Sequence, residues 1–323
     1  MFSAEEIRGW IEKGLAALPF YTEPQGLDDP VIYMVAVGGK RLRPTLCLLS
    51  YNLFKKEIDD NVLMPALGLE LFHAFTLAHD DIMDAAEIRR GQPTLHRKWN
   101  TNTAILAGDV LCMYAYSLIA QCPTAVLPTI MASFSQTAIQ VCEGQQYDMQ
   151  YEHIPIISHE QYEQMIAKKT AVLIADSARI GALCGGANNS DAAHLYDFGF
   201  ALGMGFQIWD DYLDTFGNNT FGKTIGGDIL NNKKTWLLVD ALQKAVGADQ
   251  KELNRLLYQC HDPQEKINGV VYLYRKLDVP LDAEAQVNHF HTQATEALEK
   301  VNIQPPYKES LYQYAASLLK REK

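Results

Sequence analysis

Cysteine pairs, long apolar runs and positive charge are what this 323-residue sequence has little of. Its six cysteines, Cys47, Cys112, Cys122, Cys142, Cys184 and Cys260, form no CxxC pair and sit mostly among apolar neighbours. That reads as reduced buried thiols and excludes a disulfide framework. No run of 18 uncharged apolar residues occurs, and the N-terminal MFSAEEIRGWIEKGL carries charges where a signal peptide would have its apolar core. A soluble, cytoplasmic protein without stable membrane insertion is the expectation. Lys and Arg number 28 against 39 Asp and Glu, and the formal charge of −11 argues against nucleic acid or an anionic membrane as a partner. An anionic ligand would have to be met by local cations. Hairpin signals are almost absent, no short-period repeat occurs, and no boundary separates two compositions, so residues 1–323 read as a single domain.

What is present is helical. Ser3 with Glu6, and Ser158 with Gln161, have capping-box spacing, and each precedes apolar residues recurring every three or four positions. Long amphipathic helices are expected over 54–85, 101–120, 124–151, 158–183 and 192–216, with breaks at GGKRLRP, RRGQPT, CGGANNS and GNNTFGKTIGG. The economical fold is an all-α bundle, and at 48% apolar residues the chain can bury a large core.

Two segments concentrate negative charge. DDIMD, with Asp80, Asp81 and Asp84, returns as DDYLD, with Asp210, Asp211 and Asp214, each near the C-terminal end of a long apolar helix. The spacing i, i+1, i+4 gathers carboxylates on one face, where they repel one another and meet the negative end of the helix dipole. A cation relieves both costs, and carboxylate oxygens completed by waters and phosphates suit Mg²⁺. A solvated acidic face is the alternative, but the apolar approaches FTLAHDDIMD and FQIWDDYLD place both clusters at the rim of a buried space.

Cations are clustered too. GGKRLRP sets Lys40, Arg41 and Arg43 after a glycine pair; RRG adds Arg89 and Arg90; AKKT adds Lys168, Lys169 and Thr170; GKTIGGDILNNKKT adds Lys223, Lys233 and Lys234. Arginine matches phosphate oxygens in a fork, and lysine acts as a point charge. Singly, each cluster has a plainer use: Lys40 and Arg41 could cap a helix, and Arg89 and Arg90 could neutralise Asp84 and Glu87. Together, interleaved with the aspartates, they suggest two phosphate-bearing ligands, one held through metal and one by direct contact.

The set GGKRLRP, HAFTLAHDDIMD with RRGQPT, EGQQYD, KKT, FQIWDDYLD and GKTIGGDILNNKKTW resembles the trans-isoprenyl diphosphate synthases of the farnesyl and geranylgeranyl type. The resemblance implies a helical bundle around a deep cavity, a homodimer, and three Mg²⁺ ions held between the aspartate motifs. It implies that Asp80, Asp84 and Asp210 ligate metal, and that Asp81, Asp211 and Asp214 support ligands or metal-bound waters. Gln145 and Asp148 match a further motif near the metal. Arg89, Lys169, Thr170, Gln207, Lys223 and Lys233 would contact the allylic diphosphate (dimethylallyl, geranyl or farnesyl), and Lys40, Arg43, His73 and Arg90 would hold isopentenyl diphosphate. Arg321 and Lys323 resemble basic tails that close over the second site in some members.

For such chemistry, Phe72, Phe75, Phe206, Trp209 and Tyr212 are candidate walls that exclude water and tolerate a carbocation. Chain length would be set one to two turns before Asp80, with Phe75 as a plug beside the small Thr76, and with Met113, Tyr114 or Tyr116 as other candidates for the floor. This pattern implies geranylgeranyl diphosphate as the main product, with farnesyl diphosphate as the alternative. A class I terpene cyclase would not need GGKRLRP or RRG, and a silent partner subunit would not need to keep both triads.

Overall fold

The computed structural model of the chain describes residues 2–20, 23, 26–217 and 226–319. In chain order its helices are α1 (Ala4–Ala17), α2 (Asp28–Ala36), α3 (Leu42–Asn52), α4 (Asp60–Met83), α5 (Leu95–Lys98), α6 (Thr101–Ile119), α7 (Leu127–Glu152), α8 (His159–Ile166), a π turn at Ala167–Ala171, α9 (Val172–Gly185) and α10 (Asn189–Phe216). There follow α11 (Gly227–Leu230), α12 (Trp236–Lys244), α13 (Gly247–Tyr258), α14 (Pro263–Lys276), α15 (Val279–Glu299) and α16 (Pro305–Leu319). The fold is all-α, and both capping boxes form as their spacing requires.

Several local features differ from expectation, three of them with a readable backbone geometry. The helix expected from residue 54 begins at Asp60, because the Asn52 side-chain amide donates to the Lys55 carbonyl at 2.8 Å and closes α3 with a turn. The helix expected across 158–183 is interrupted by the π turn, and an extra residue in one turn leaves the apolar period on either side intact. A two-stranded ladder, β1 (Ile88–Arg89) with β2 (Gln92–Pro93), forms within RRGQPT. Its two-residue loop, Arg90 and Gly91, has φ of 52° and 75°, the left-handed pair that a tight hairpin needs.

By contacts the described chain divides into two compact units. The first comprises 1–136, 173–199 and 297–314. At its centre α4 lies against α6, and the backbones meet: a Cβ on Gly68 would stand 2.8 Å from the Ala115 carbonyl oxygen. Leu46, Leu49, Leu67, Leu71, Phe72 and Phe134 fill this core. The second unit comprises 137–172, 200–296 and 315–323. Its core runs from Tyr162 and Ile166 through Ile208, Trp209 and Leu237 to Leu256, Val270 and Tyr274.

The cysteines are all free, but only Cys47, Cys122 and Cys184 are buried; Cys112 and Cys260 are half-buried and Cys142 is exposed. By length and composition α4 and α6 could cross a membrane, and α4 has 61% of its most apolar window buried inside the protein. That burial is what a core helix shows.

Candidate active site

In the first unit, DDIMD closes α4, with Asp84 as its C-cap and no basic residue in the last turn. The three aspartates separate by environment. Asp80 is half-buried, Asp84 is exposed, and Asp81 is 1% exposed. Asp81 Oδ1 accepts from Arg89 Nε at 2.7 Å. Burial nevertheless dominates and pushes the Asp81 carboxyl up to about 6, against the pull of Arg89. The hairpin after α4 therefore brings Arg89 back onto the helix, where Asp81 orients the guanidinium. Asp81 is spent on a protein partner, while Asp80 and Asp84 are the more exposed carboxylates of the motif.

The same hairpin carries Arg90. Its left-handed backbone is a strained conformation for a non-glycine residue. It aims the guanidinium at the Gly38 carbonyl, while the Gly39 carbonyl accepts from Arg8 at 3.0 Å. Of the cations in GGKRLRP, Arg41 turns inward: it is 5% exposed and donates to Glu70 at 2.8 Å, to Glu12 at 3.0 Å and to the Val35 carbonyl at 3.0 Å. It is structural. Lys40 is exposed.

Arg43 is different. Its Nε is buried without a hydrogen-bond partner among the described residues, and so is His73 Nδ1. Burial lowers the Arg43 guanidinium to about 10, with Glu70 opposing and Arg90 reinforcing. His73 is held well below the ordinary histidine range by burial and by the fields of Arg43, Arg90, Arg89 and Arg41, so it is a neutral imidazole. An unmet guanidinium N–H within a group of arginines makes an anion site. Thr76, on the same helix, donates to the His73 carbonyl at 2.9 Å.

In the second unit the π turn packs tightly against its neighbours. A Cβ on Gly144 of EGQQYD would lie 2.2 Å from the Lys169 nitrogen, and one on Gly203 would lie 2.7 Å from Ala171 Cα. Glycine at both places lets the backbone of AKKTA wedge between α7 and α10. Lys169 Nζ then reaches Asp148 Oδ2 at 2.5 Å, and Lys168 reaches Glu143 at 2.5 Å. Asp148, expected near the metal, is 6% exposed and is paired with this lysine.

DDYLD ends α10 much as DDIMD ends α4, again without a basic residue in the last turn. Asp211 is buried and accepts three hydrogen bonds: Tyr162 hydroxyl at 2.7 Å, Gln207 Nε2 at 2.9 Å and the Trp236 N–H at 2.9 Å. Burial, aided by the charge of Asp228, still lifts its carboxyl to about 7. Gln207 Oε1 accepts from the Thr170 hydroxyl at 2.9 Å, which ties the π turn to α10. Asp214 accepts the Asp228 N–H at 3.1 Å and so fastens α11. Asp210 remains half-buried, and Lys233, after α11, is exposed. Lys223, Arg321 and Lys323 lie outside the described residues.

Other expectations need correction. Trp209 and Tyr212 stack at 4.6 Å, and the Tyr212 hydroxyl donates to Glu284 of α15 at 2.9 Å. At about 100° per residue, positions 209, 212 and 216 lie opposite 207, 211 and 214. These rings are core and do not wall the aspartate face. Phe72 is 1% exposed in the first core, packed edge-on to Phe134, while Phe75 is half-buried against Phe72 and His79. Met113 is 63% exposed and Tyr114 rests on Phe20, while Tyr116 joins these rings through Phe134.

Two residues with roles here carried no signal as part of a motif. Glu70 anchors Arg41, and its charge opposes the lowering of Arg43; its only mark is a lone carboxylate in the apolar LGLELFHAF. Tyr162 sits in an ordinary amphipathic pattern.

Among the described residues no three His, Cys, Asp or Glu side chains gather closely enough to hold a metal unaided. The donor chemistry still fits Mg²⁺, which takes few carboxylates and completes its shell with water and phosphate oxygens.

A sequence model of the family described as Polyprenyl synthetase matches residues 24–274. The chain is similar to geranylgeranyl diphosphate synthase of Methanosarcina mazei, 41% identical over 232 residues, which is 71% of each chain. It is similar to the geranylgeranyl diphosphate synthase of Sulfolobus acidocaldarius, 34% identical over 285 residues, 85% of this chain and 86% of that one. A solved geranylgeranyl pyrophosphate synthase superposes with a TM-score of 0.94 at 35% identity, covering 100% of both chains.

Proposed function

The chain belongs to the polyprenyl synthetase family, a family of prenyltransferases, and from that premise we propose that it joins isopentenyl diphosphate head to tail to allylic diphosphates, with geranylgeranyl diphosphate as main product. The single observation that carries two-substrate chemistry is the anion site at Arg43 and His73, where a buried guanidinium N–H and a buried ring nitrogen have no partner among the described residues. A cyclase, which binds one diphosphate, has no use for it. We take the whole chain, 1–323, as one such domain, cytoplasmic and without membrane insertion.

In this reading Arg43, neutral His73, Lys40 and Arg90 bind isopentenyl diphosphate. Lys169, Thr170, Gln207, Arg89 and Lys233 bind the allylic diphosphate. Asp80, Asp84 and Asp210 would hold Mg²⁺, three ions per active site. When bound, the metal supplies charge that stabilises the departing pyrophosphate. Lys169 and Arg89, each held by a buried carboxylate, stand preorganised toward that developing charge, which makes them more effective than mobile cations. The alkene of isopentenyl diphosphate attacks the allylic carbon, and the proton it then loses can pass to the released pyrophosphate.

A homodimer is part of the proposal. Leu106 and Met113, one heptad apart on α6, are 53% and 63% exposed, a surface stripe more apolar than a monomer needs. Light scattering during gel filtration should give twice the chain mass. A purified-protein assay with labelled isopentenyl diphosphate and each allylic primer tests the activity; primer consumed without isopentenyl diphosphate would mean a cyclase.

Two further outcomes follow from this division of the site. Arg90→Ala and Lys40→Ala should raise the isopentenyl diphosphate KM about tenfold with kcat little changed, while Lys169→Ala should lower kcat by about a hundredfold, because its charge acts where negative charge grows. Identical behaviour of all three toward both substrates would refute the assignment. Phe75→Ala should lengthen the products, since it opens space beside Phe72; unchanged product sizes on chromatography would place the floor elsewhere.

A further inference from the structure

The geometry points to Tyr162 as a positioning residue for the second aspartate motif: its hydroxyl fixes the Asp211 carboxylate and, through it, the orientation of Gln207 and Thr170. The inference rests on the function proposed above and adds a residue that no motif marks.

Tyr162 is 1% exposed, and its hydroxyl donates to Asp211 Oδ2 at 2.7 Å. A hydrogen bond to a buried charged acceptor is among the stronger kinds. Asp211 is where three segments meet. Its Oδ2 also takes the N–H of Trp236, the first residue of α12, immediately after Lys233, Lys234 and Thr235. Its Oδ1 takes Gln207 Nε2, and Gln207 Oε1 takes the hydroxyl of Thr170, next to Lys169 in the π turn. Tyr162 itself stands on α8, the helix that runs into the π turn, and acts as the fixed post.

Without the hydroxyl, Asp211 keeps one donor on Oδ2 and can turn about its last torsion. Gln207 then loses a fixed acceptor, and Thr170 loses a fixed Gln207. The consequence falls on the allylic diphosphate and its departure, with none expected at Arg43 or His73, which belong to the other unit.

The experiment compares the full-length wild type with Tyr162→Phe, and with Tyr151→Phe as a control for a buried tyrosine of the same unit, 5% exposed. Three quantities are read: kcat, the isopentenyl diphosphate KM, and the affinity for inorganic pyrophosphate with Mg²⁺ by titration calorimetry. Tyr162→Phe should fold, with kcat and pyrophosphate affinity each lowered about tenfold, as expected for one lost hydrogen bond to a buried charge. Its isopentenyl diphosphate KM should stay within about twofold of the wild type, because uniform binding at the other site is untouched. Tyr151→Phe should match the wild type. Wild-type kcat and pyrophosphate affinity in Tyr162→Phe would overturn the proposal, as would an equal loss in Tyr151→Phe or a variant unfolded at the assay temperature, since the hydroxyl would then serve only the fold. A wild type that consumes no isopentenyl diphosphate would instead overturn the proposed reaction, and the pyrophosphate titration would still judge Tyr162.

Discussion

Asp80→Ala and Asp210→Ala are each expected to lower turnover by about a thousandfold while the helical fold survives, because each removes an oxygen that would hold Mg²⁺ against the leaving pyrophosphate. These two are half-buried, at the ends of α4 and α10, where no basic residue offsets the helix dipole. Taking away a carboxylate there relieves repulsion, so the melting temperature without ligand should hold or rise. Asp81→Ala should behave differently. It leaves the half-buried Arg89 without its hydrogen-bond acceptor, so stability should fall by about 1 kcal/mol along with activity. Steady-state rates across a Mg²⁺ titration, with thermal melts of the same samples, check both statements. Near wild-type turnover for Asp80→Ala or Asp210→Ala, with Mg²⁺ as the sole metal, would remove the metal assignment.

Gly144→Ala should be the most damaging conservative change in the second unit. The new Cβ would lie 2.2 Å from the Lys169 nitrogen and 2.6 Å from its Cα, and backbone cannot swing aside as a side-chain tip can. The π turn must move, taking Lys169 from Asp148 and Thr170 from Gln207. Overpacking of this kind costs about 3 kcal/mol, and a misplacement near 1 Å can cost about a hundredfold in rate. Thermal melts and kcat measured well below the melting temperature separate the two losses. A variant with unchanged melting temperature and kcat would show that the π turn does not depend on this close approach.

The helical class was legible because apolar spacing and capping boxes are local: Ser3 and Ser158 cap their helices as their spacing requires. The π turn was not, since it packs against a glycine of α7 that lies 25 residues away in the chain, as the positions of Gly144 and Lys169 give. The hairpin at Arg90 was hidden for another reason. Arginine seldom adopts positive φ, and the contacts of its guanidinium with the Gly38–Gly39 segment hold it there. Trp209 and Tyr212 were misassigned as walls although the helical period already sets them away from the side of the helix that Gln207 and Asp214 share.

By itself the sequence determined the chemical inventory: helices ending in paired aspartate triads, basic clusters between them, and an excess of negative charge that makes those clusters local. Residue type and spacing are properties of the chain alone. Only the tertiary structure decided which charges are spent inside the protein. Arg41 goes to Glu12 and Glu70, Asp81 to Arg89, Asp148 to Lys169, and Asp211 to Tyr162 and the Trp236 backbone. A charge taken out of water needs a partner, and that partner usually comes from a distant part of the chain. The spacing of like residues cannot reveal it, and so Asp80 and Asp81, adjacent and identical in type, end with different tasks.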